Sequence, residues 1–139
     1  MTGHEAKPVR VAVLSANSSY QGKQGQAYAA GISAESVGAT GLWFGRITIP
    51  PGGRTKAHLH EAHESGIYLV SGDAETWFGD QLEEHMVATA GQFIYIGRGV
   101  PHVAVNRSTT EPAVALLCRT DPNEQESVVL LSELDGIVP

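Results

Sequence analysis

Short apolar or alternating runs, each closed by turn residues, leave this chain little room for anything but a β fold. From Gly41 they come regularly. Residues 42–49 precede Pro50-Pro51-Gly52-Gly53, 67–70 precede Ser71-Gly72-Asp73, and 75–78 precede Gly79-Asp80, with a short run at 58–60 between the first two. Runs at 82–89, 93–96, 102–107 and 113–119 continue the series, and a last one at 127–131 follows a polar loop over 120–126. Earlier, 9–14 reads as a strand, and 21–30, rich in Gly and Gln, as a loop or arm. Ser33-Ala34-Glu35-Ser36 suits a single helical turn capped by Ser33. Helical signals are too sparse for an α/β fold. The expectation is an all-β sandwich or barrel in one domain, with an N-terminal strand and arm over 1–40, a barrel core over 41–119, and a C-terminal strand and tail over 120–139.

Composition excludes some partners. At 139 residues the chain is of one-domain size, and 42% hydrophobic with 17% charged residues describes an ordinary globular protein. A net charge of −6, with no basic run able to follow a phosphate backbone, argues against nucleic acid. No apolar stretch approaches the ~20 residues that a membrane-spanning helix needs. Residues 1–7 lack the apolar segment of a secretory signal, so the expected location is cytoplasmic. The single cysteine, Cys118, has no intrachain partner and reads as a small buried hydrophobe.

The chemistry is carried by histidines. His58 and His60 lie two apart, and side chains two apart on a strand point to the same side of the sheet. Imidazole is the commonest protein ligand for divalent metals. A second segment, Pro101-His102, can bring a third imidazole to the same point, with Gly99 and Pro101 making the tight connection that aims it. His85, beside Glu83 and Glu84, reads as solvent-facing, and Asn106 as the anchor of a turn through backbone hydrogen bonds.

The two segments run from Gly52 through His58, His60, Glu64 and Ser65 to Gly72, and from Gly91 through Gly97, Gly99 and His102 to Asn106. Together they resemble the two signature motifs of the cupin superfamily. The first sets a glycine five residues before an HxH pair, then a glutamate three or four residues on, then a glycine six residues further. The second frames a histidine between a PxG turn and an asparagine; this chain has Gly97 where the family has proline. The resemblance covers 41–119 and implies a small jelly-roll barrel (a double-stranded β-helix) with one metal inside, held by His58, His60 and His102. The fourth ligand is open. Counting forward from His60 gives Glu64, whereas counting back from Gly72 gives Ser65. Ser65, Ile67 and Leu69 share one strand face, joined by His63, and Glu64 turns inward only if a bulge forms at Ser65-Gly66. Glu64, His63 or water are therefore the alternatives.

Neutral imidazoles with at most one carboxylate suit Fe, Mn, Ni, Co, Cu or Zn, and the ligand types do not select among them. Coordination positions left open would admit substrate. Candidate cavity residues are Trp43 or Phe44, Arg46, Tyr68, Trp77 or Phe78, Gln92 and Tyr95. Among these Tyr68 and Tyr95 are candidates for proton transfer, and Arg46 for holding an anion. The resemblance implies a small metalloenzyme acting on a carbonyl-bearing or aromatic metabolite, of dioxygenase, isomerase or cyclase type. The alternative is a cupin that binds a small molecule without turning it over. An exposed sheet edge, covered by a terminal strand or arm of a second subunit, would make the protein a homodimer.

Overall fold

The computed structural model describes residues 9–139. Eleven strands are found among the described residues: β1 Tyr20–Gln21, β2 Ala27–Ile32, β3 Trp43–Ile49, β4 His58–Leu59, β5 Ser65–Ser71, β6 Asp73–Phe78, β7 Glu84–Thr89, β8 Phe93–Ile96, β9 His102–Val105, β10 Ala113–Arg119 and β11 Val129–Leu130. They form two antiparallel sheets, ordered β1-β2-β3-β10-β5-β8 and β11-β4-β9-β6-β7. Consecutive strands are dealt to alternate sheets through much of the chain, as in a jelly roll, so the double-stranded β-helix read from the sequence is the observed architecture. One helical turn, α1 Ala34–Val37, starts at Ser33, whose hydroxyl accepts from the Ser36 amide at 3.0 Å. No helix among the described residues is long and apolar enough to cross a membrane.

Alternation along the strands decides what lies between the sheets. In β10, Ala113, Ala115, Leu117 and Arg119 are buried, and the intervening Leu116 and Cys118 are exposed. The buried cysteine expected from the sequence is thus corrected: it is one residue out of phase with the inward set. Leu69 and Ala115 of one sheet pack against Ala74 and Ala88 of the other. Small residues there let the sheets approach. A second cluster joins Tyr28, Ala30, Trp43 and Leu117. At Gly45 an added Cβ would lie 2.4 Å from the Ala29 carbonyl oxygen and 2.8 Å from the Trp43 ring, so glycine allows β2 and the indole to close in on β3.

The β4–β9 sheet is covered on its outer side as well. Val103 and Val105 pack there against Leu134 and Val138 of the C-terminal segment, leaving His102 to face inward. Asn106, 1% exposed, donates to the carbonyls of Ile49 and Glu111 at 3.1 and 2.8 Å and accepts from the Ser108 amide at 3.0 Å, fastening the turn after β9. Two readings near the N-terminus differ from the structure. Residues 9–14 form no strand and are exposed, whereas the stretch 21–30, read as a loop or arm, contributes 27–30 to β2. Tyr28, Ala29 and Ala30 are buried there because β2 pairs with β3, a partner that local composition does not reveal.

Candidate metal centre

His58 and His102 face each other across the β4–β9 pair as register partners. The segment before β4 is pinned to β9 by Thr55, whose amide donates to the Ala104 carbonyl at 2.9 Å and whose hydroxyl accepts from the Ala104 amide at 3.0 Å. Gly99, in the left-handed region at φ 73°, donates its amide to the His60 carbonyl at 2.7 Å. One hydrogen bond therefore ties the turn that aims His102 to the residue beside it. All three rings are buried, and ligand atoms from His58, His60 and His102 lie within 4.8 Å of one another. Ring centroids are 4.2 Å apart for His58–His102, 5.0 Å for His58–His60 and 5.2 Å for His60–His102.

The imidazoles are arranged as ligands need to be. Nδ1–H of His58 donates to the Lys56 carbonyl at 2.6 Å, and Nδ1–H of His102 to the Val100 carbonyl at 2.9 Å. A carbonyl can only accept, so both rings are fixed in the tautomer that leaves Nε2 free. Burial disfavours the imidazolium and lowers all three pKa values, to about 4 for His60 and about 3 for His102. At neutral pH the site presents three uncharged donors. Such a set fits a divalent ion of the Mn–Zn series.

A second group adjoins the first: His60, His63 and Glu126 also bring ligand atoms within 4.8 Å of one another. His63 Nε2 donates to Glu126 Oε2 at 2.9 Å, and Glu126 Oε1 accepts from Gln24. The same Oε2 lies 3.5 Å from Arg119 Nε and 3.5 Å from His60 Nδ1. Burial opposes ionisation of Glu126. The His63 bond and the Arg119 charge outweigh it and hold the pKa down at about 2, so the carboxylate is ionised inside the protein. Arg119 carries no side-chain exposure and stacks on Trp43 at 4.3 Å. Its Nη2 donates to the carbonyls of Asn123 and Glu124 at 2.6 and 3.1 Å. The end of β10 thus reels in the following loop and delivers Glu126 to the histidines.

Glu126 was not among the residues singled out from the sequence. The sole local signal is the turn Asp121-Pro122-Asn123, in which Asp121 accepts from the Asn123 and Ser127 amides at 3.1 and 2.8 Å. Glu64 lies outside both groups. It is half-buried, and its backbone bonds Thr120. β5 keeps an unbroken register from Ser65 to Tyr68 against β8, so no bulge at Ser65-Gly66 turns Glu64 inward, and Ser65 occupies the buried position. His63 is buried but engaged with Glu126.

Arg46 and Tyr68 are exposed on the outer face of the larger sheet. Tyr95, 68% exposed, also points outward but borders a cleft of about 650 Å³ between β7 and β8, the free edges of the two sheets. Phe78, Met86, Ala88, Ile94 and Ile96 line this cleft, Gln92 lies on its wall, and His102 lies at its inner end. Of the adjacent aromatic pairs, Trp43 and Phe78 turn inward. Trp77 instead stacks on the exposed His85 with centroids 4.3 Å apart. A smaller cavity of about 50 Å³ touches His58, His60, His102, Ser65, Tyr28 and Glu126.

The cupin domain model matches residues 45–118, more than half of the chain, and the protein belongs to that family. No curated protein matches the sequence. Among solved structures, an uncharacterised protein with a double-stranded β-helix domain from Klebsiella pneumoniae is 18% identical over 76% of this chain and 83% of its own, with a TM-score of 0.61. Bacillus subtilis oxalate decarboxylase is 19% identical with a TM-score of 0.67, and an oxalate oxidase in complex with glycolate is 21% identical with a TM-score of 0.63. The alignments cover 83% and 78% of this chain but 30% and 56% of those proteins. At such identities the likeness is one of fold.

Proposed function

We propose that this protein is a metal-dependent enzyme acting on a small, neutral, largely apolar molecule that carries a carbonyl group or an aromatic ring. The observation that carries the reading is the apolar cleft that ends at His102, one of three buried, neutral imidazoles. His58, His60 and His102 would hold the ion. Water and substrate would complete its shell, since Glu64 lies apart and His63 is bonded to Glu126. When bound, the ion would supply Lewis acidity and, if Fe, Mn or Cu, redox chemistry with dioxygen.

The chain's own part is to receive and orient the substrate and keep water away from it. Phe78, Met86, Ile94 and Ile96 offer a ring apolar walls, and Thr76 and Gln92 offer hydrogen bonds. No Lys, Arg, Asp or Glu side chain lines the cleft among the described residues, which disfavours a small dianion such as oxalate. Isomerase and cyclase chemistry requires positioned proton-transfer groups. Of the candidates for that work, Tyr68 and Arg46 face outward and Tyr95 sits at the rim. The dioxygenase type is therefore the favoured reading.

Oxygen uptake by the iron-loaded protein against a phenyl-substituted 1,3-diketone, a catechol and oxalate tests it, with the zinc-loaded protein as control. Uptake with a neutral aromatic substrate and iron alone is expected. Equal turnover by the zinc form would overturn the dioxygenase type, because zinc has no redox chemistry. Binding without turnover by either form would leave a non-catalytic cupin. Met86, 70% exposed at the mouth of the cleft, offers a second check. Met86→Trp should weaken diketone binding by roughly tenfold through lost space while leaving metal content unchanged, measured by fluorescence titration and elemental analysis.

We infer also that the protein is a homodimer, joined through the outer face of the larger sheet. Two rows of side chains cross that face: Phe44, Cys118, Gly66 and Tyr95, then Arg46, Leu116, Tyr68 and Phe93. Phe93 stands 80% exposed, while nothing lies within 4 Å of where a Gly66 Cβ would be, so one face carries both a knob and a hollow. Such a surface can pair with itself about a two-fold axis, and large apolar patches are rare on monomers. Leu116→Asp should shift the sedimentation coefficient from dimer to monomer. A monomeric wild type would refute the inference.

A further inference from the structure

His60 differs from its two neighbours. Backbone carbonyls two residues earlier fix the Nδ1–H of His58 and His102, whereas His60 Nδ1 is buried and lacks a hydrogen-bond partner. Glu126 Oε2 lies 3.5 Å from it. We propose that Glu126 is the positioning residue for His60: its carboxylate accepts the Nδ1 proton, fixes the tautomer with Nε2 toward His58 and His102, and strengthens His60 as a donor to the ion. The proposal rests on the reading of His58, His60 and His102 as metal ligands. It assigns to the loop after β10 a carboxylate influence that the first motif carries on a strand, where this chain has the buried Ser65.

Three observations favour this over the alternatives. Glu126 does not join the group formed by His58 and His102, so it is not placed as a direct ligand beside them. A second ion held by His60, His63 and Glu126 would sit against the guanidinium of Arg119, 3.5 Å from the same carboxylate oxygen, where positive charge is already supplied. Finally, Glu126 is held from three sides, by Gln24, His63 and Arg119, and so has the fixed geometry that orienting another group demands. Carboxylates that accept from a ligating histidine commonly set ligand orientation and basicity.

The test measures zinc affinity by competition with a chromophoric chelator in wild type, Glu126→Gln, His60→Ala and the double variant. Glu126→Gln should lose roughly 10- to 100-fold in affinity, and in the His60→Ala background the same change should cost little more. An undiminished affinity in Glu126→Gln would overturn the proposal, and so would an equal loss with and without His60. If Glu126→Gln does not fold, Glu126→Asp keeps the charge beside Arg119 while drawing it back from His60, and should give a smaller loss; wild-type affinity there would count against the proposal. Imidazole ¹⁵N shifts in the metal-free protein add a readout that mere loop packing would not move: the His60 tautomer should become mixed in Glu126→Gln while those of His58 and His102 stay fixed. A wild type that binds no zinc would fell the metal reading itself, and this proposal with it.

Discussion

Replacing His58 and His60 together by alanine should reduce metal content from one ion per chain to none while leaving the sheets assembled. Both rings are buried, and with His102 they are the donors that approach one another within ligand distance on the β4–β9 pair. The double variant leaves His102 alone, and a single imidazole cannot retain an ion through dialysis. The fold should survive because neither ring belongs to the apolar clusters, one joining the two sheets through Leu69, Ala74, Ala88 and Ala115, the other packing Tyr28, Trp43 and Leu117 within the larger sheet. The space vacated adjoins a cavity that polar groups already line, where water can enter. A loss of about 1–3 kcal/mol per site is expected, within the range of single substitutions. Elemental analysis after dialysis against Zn(II) or Mn(II), with circular dichroism on the same sample, measures both effects. Unchanged metal content in a folded double variant would refute the site.

Much of this site was legible because strand parity and turn chemistry are local. His58 and His60 lie two apart, and a turn through the left-handed Gly99 sets His102 against His58. The fate of Tyr68 was legible by the same rule. Named as a cavity candidate, it falls between Ile67 and Leu69, which share the opposite strand face, and so points outward, which corrects that placement. Parity likewise put Ser65 inside and left Glu64 outside once β5 proved regular against β8. Glu126 was hidden for a different reason. Its partner His63 is 63 residues away, and the approach depends on Arg119 being buried over Trp43 and drawing in the loop. An arginine at the end of a strand gives no local sign that it will turn inward, because charged residues are almost never fully buried unless paired. β2 was missed on similar grounds: Tyr28 and its neighbours are buried by a non-local pairing with β3.

Acid should unfold the metal-free protein more readily than a domain of this size ordinarily unfolds. Burial holds His60 at about 4 and His102 at about 3, and lowers His58, whereas an unfolded histidine titrates near ~6.5. As pH falls below that value the unfolded chain takes up protons that the folded one refuses, so stability declines with falling pH. At about 1.4 kcal/mol per unit, His60 and His102 each remove on the order of 3 kcal/mol by pH ~4. Glu126 acts in the same direction over a lower range. Its carboxylate, at about 2, stabilises the fold above the usual carboxyl pKa and ceases to do so as pH falls toward its own. Together these losses approach the 5–15 kcal/mol that keeps a typical domain folded. A bound ion opposes the change, because protons must displace it before the imidazoles can charge. Trp43 and Trp77 fluorescence, followed from pH 7 to 3 with chelator and with Zn(II), should show a cooperative transition above pH 4 in the first case and a lower one in the second. His102→Gln, uncharged at every pH, should flatten the decline in the metal-free protein. An acid transition that is indifferent to both the ion and His102 would show that these buried imidazoles do not govern stability.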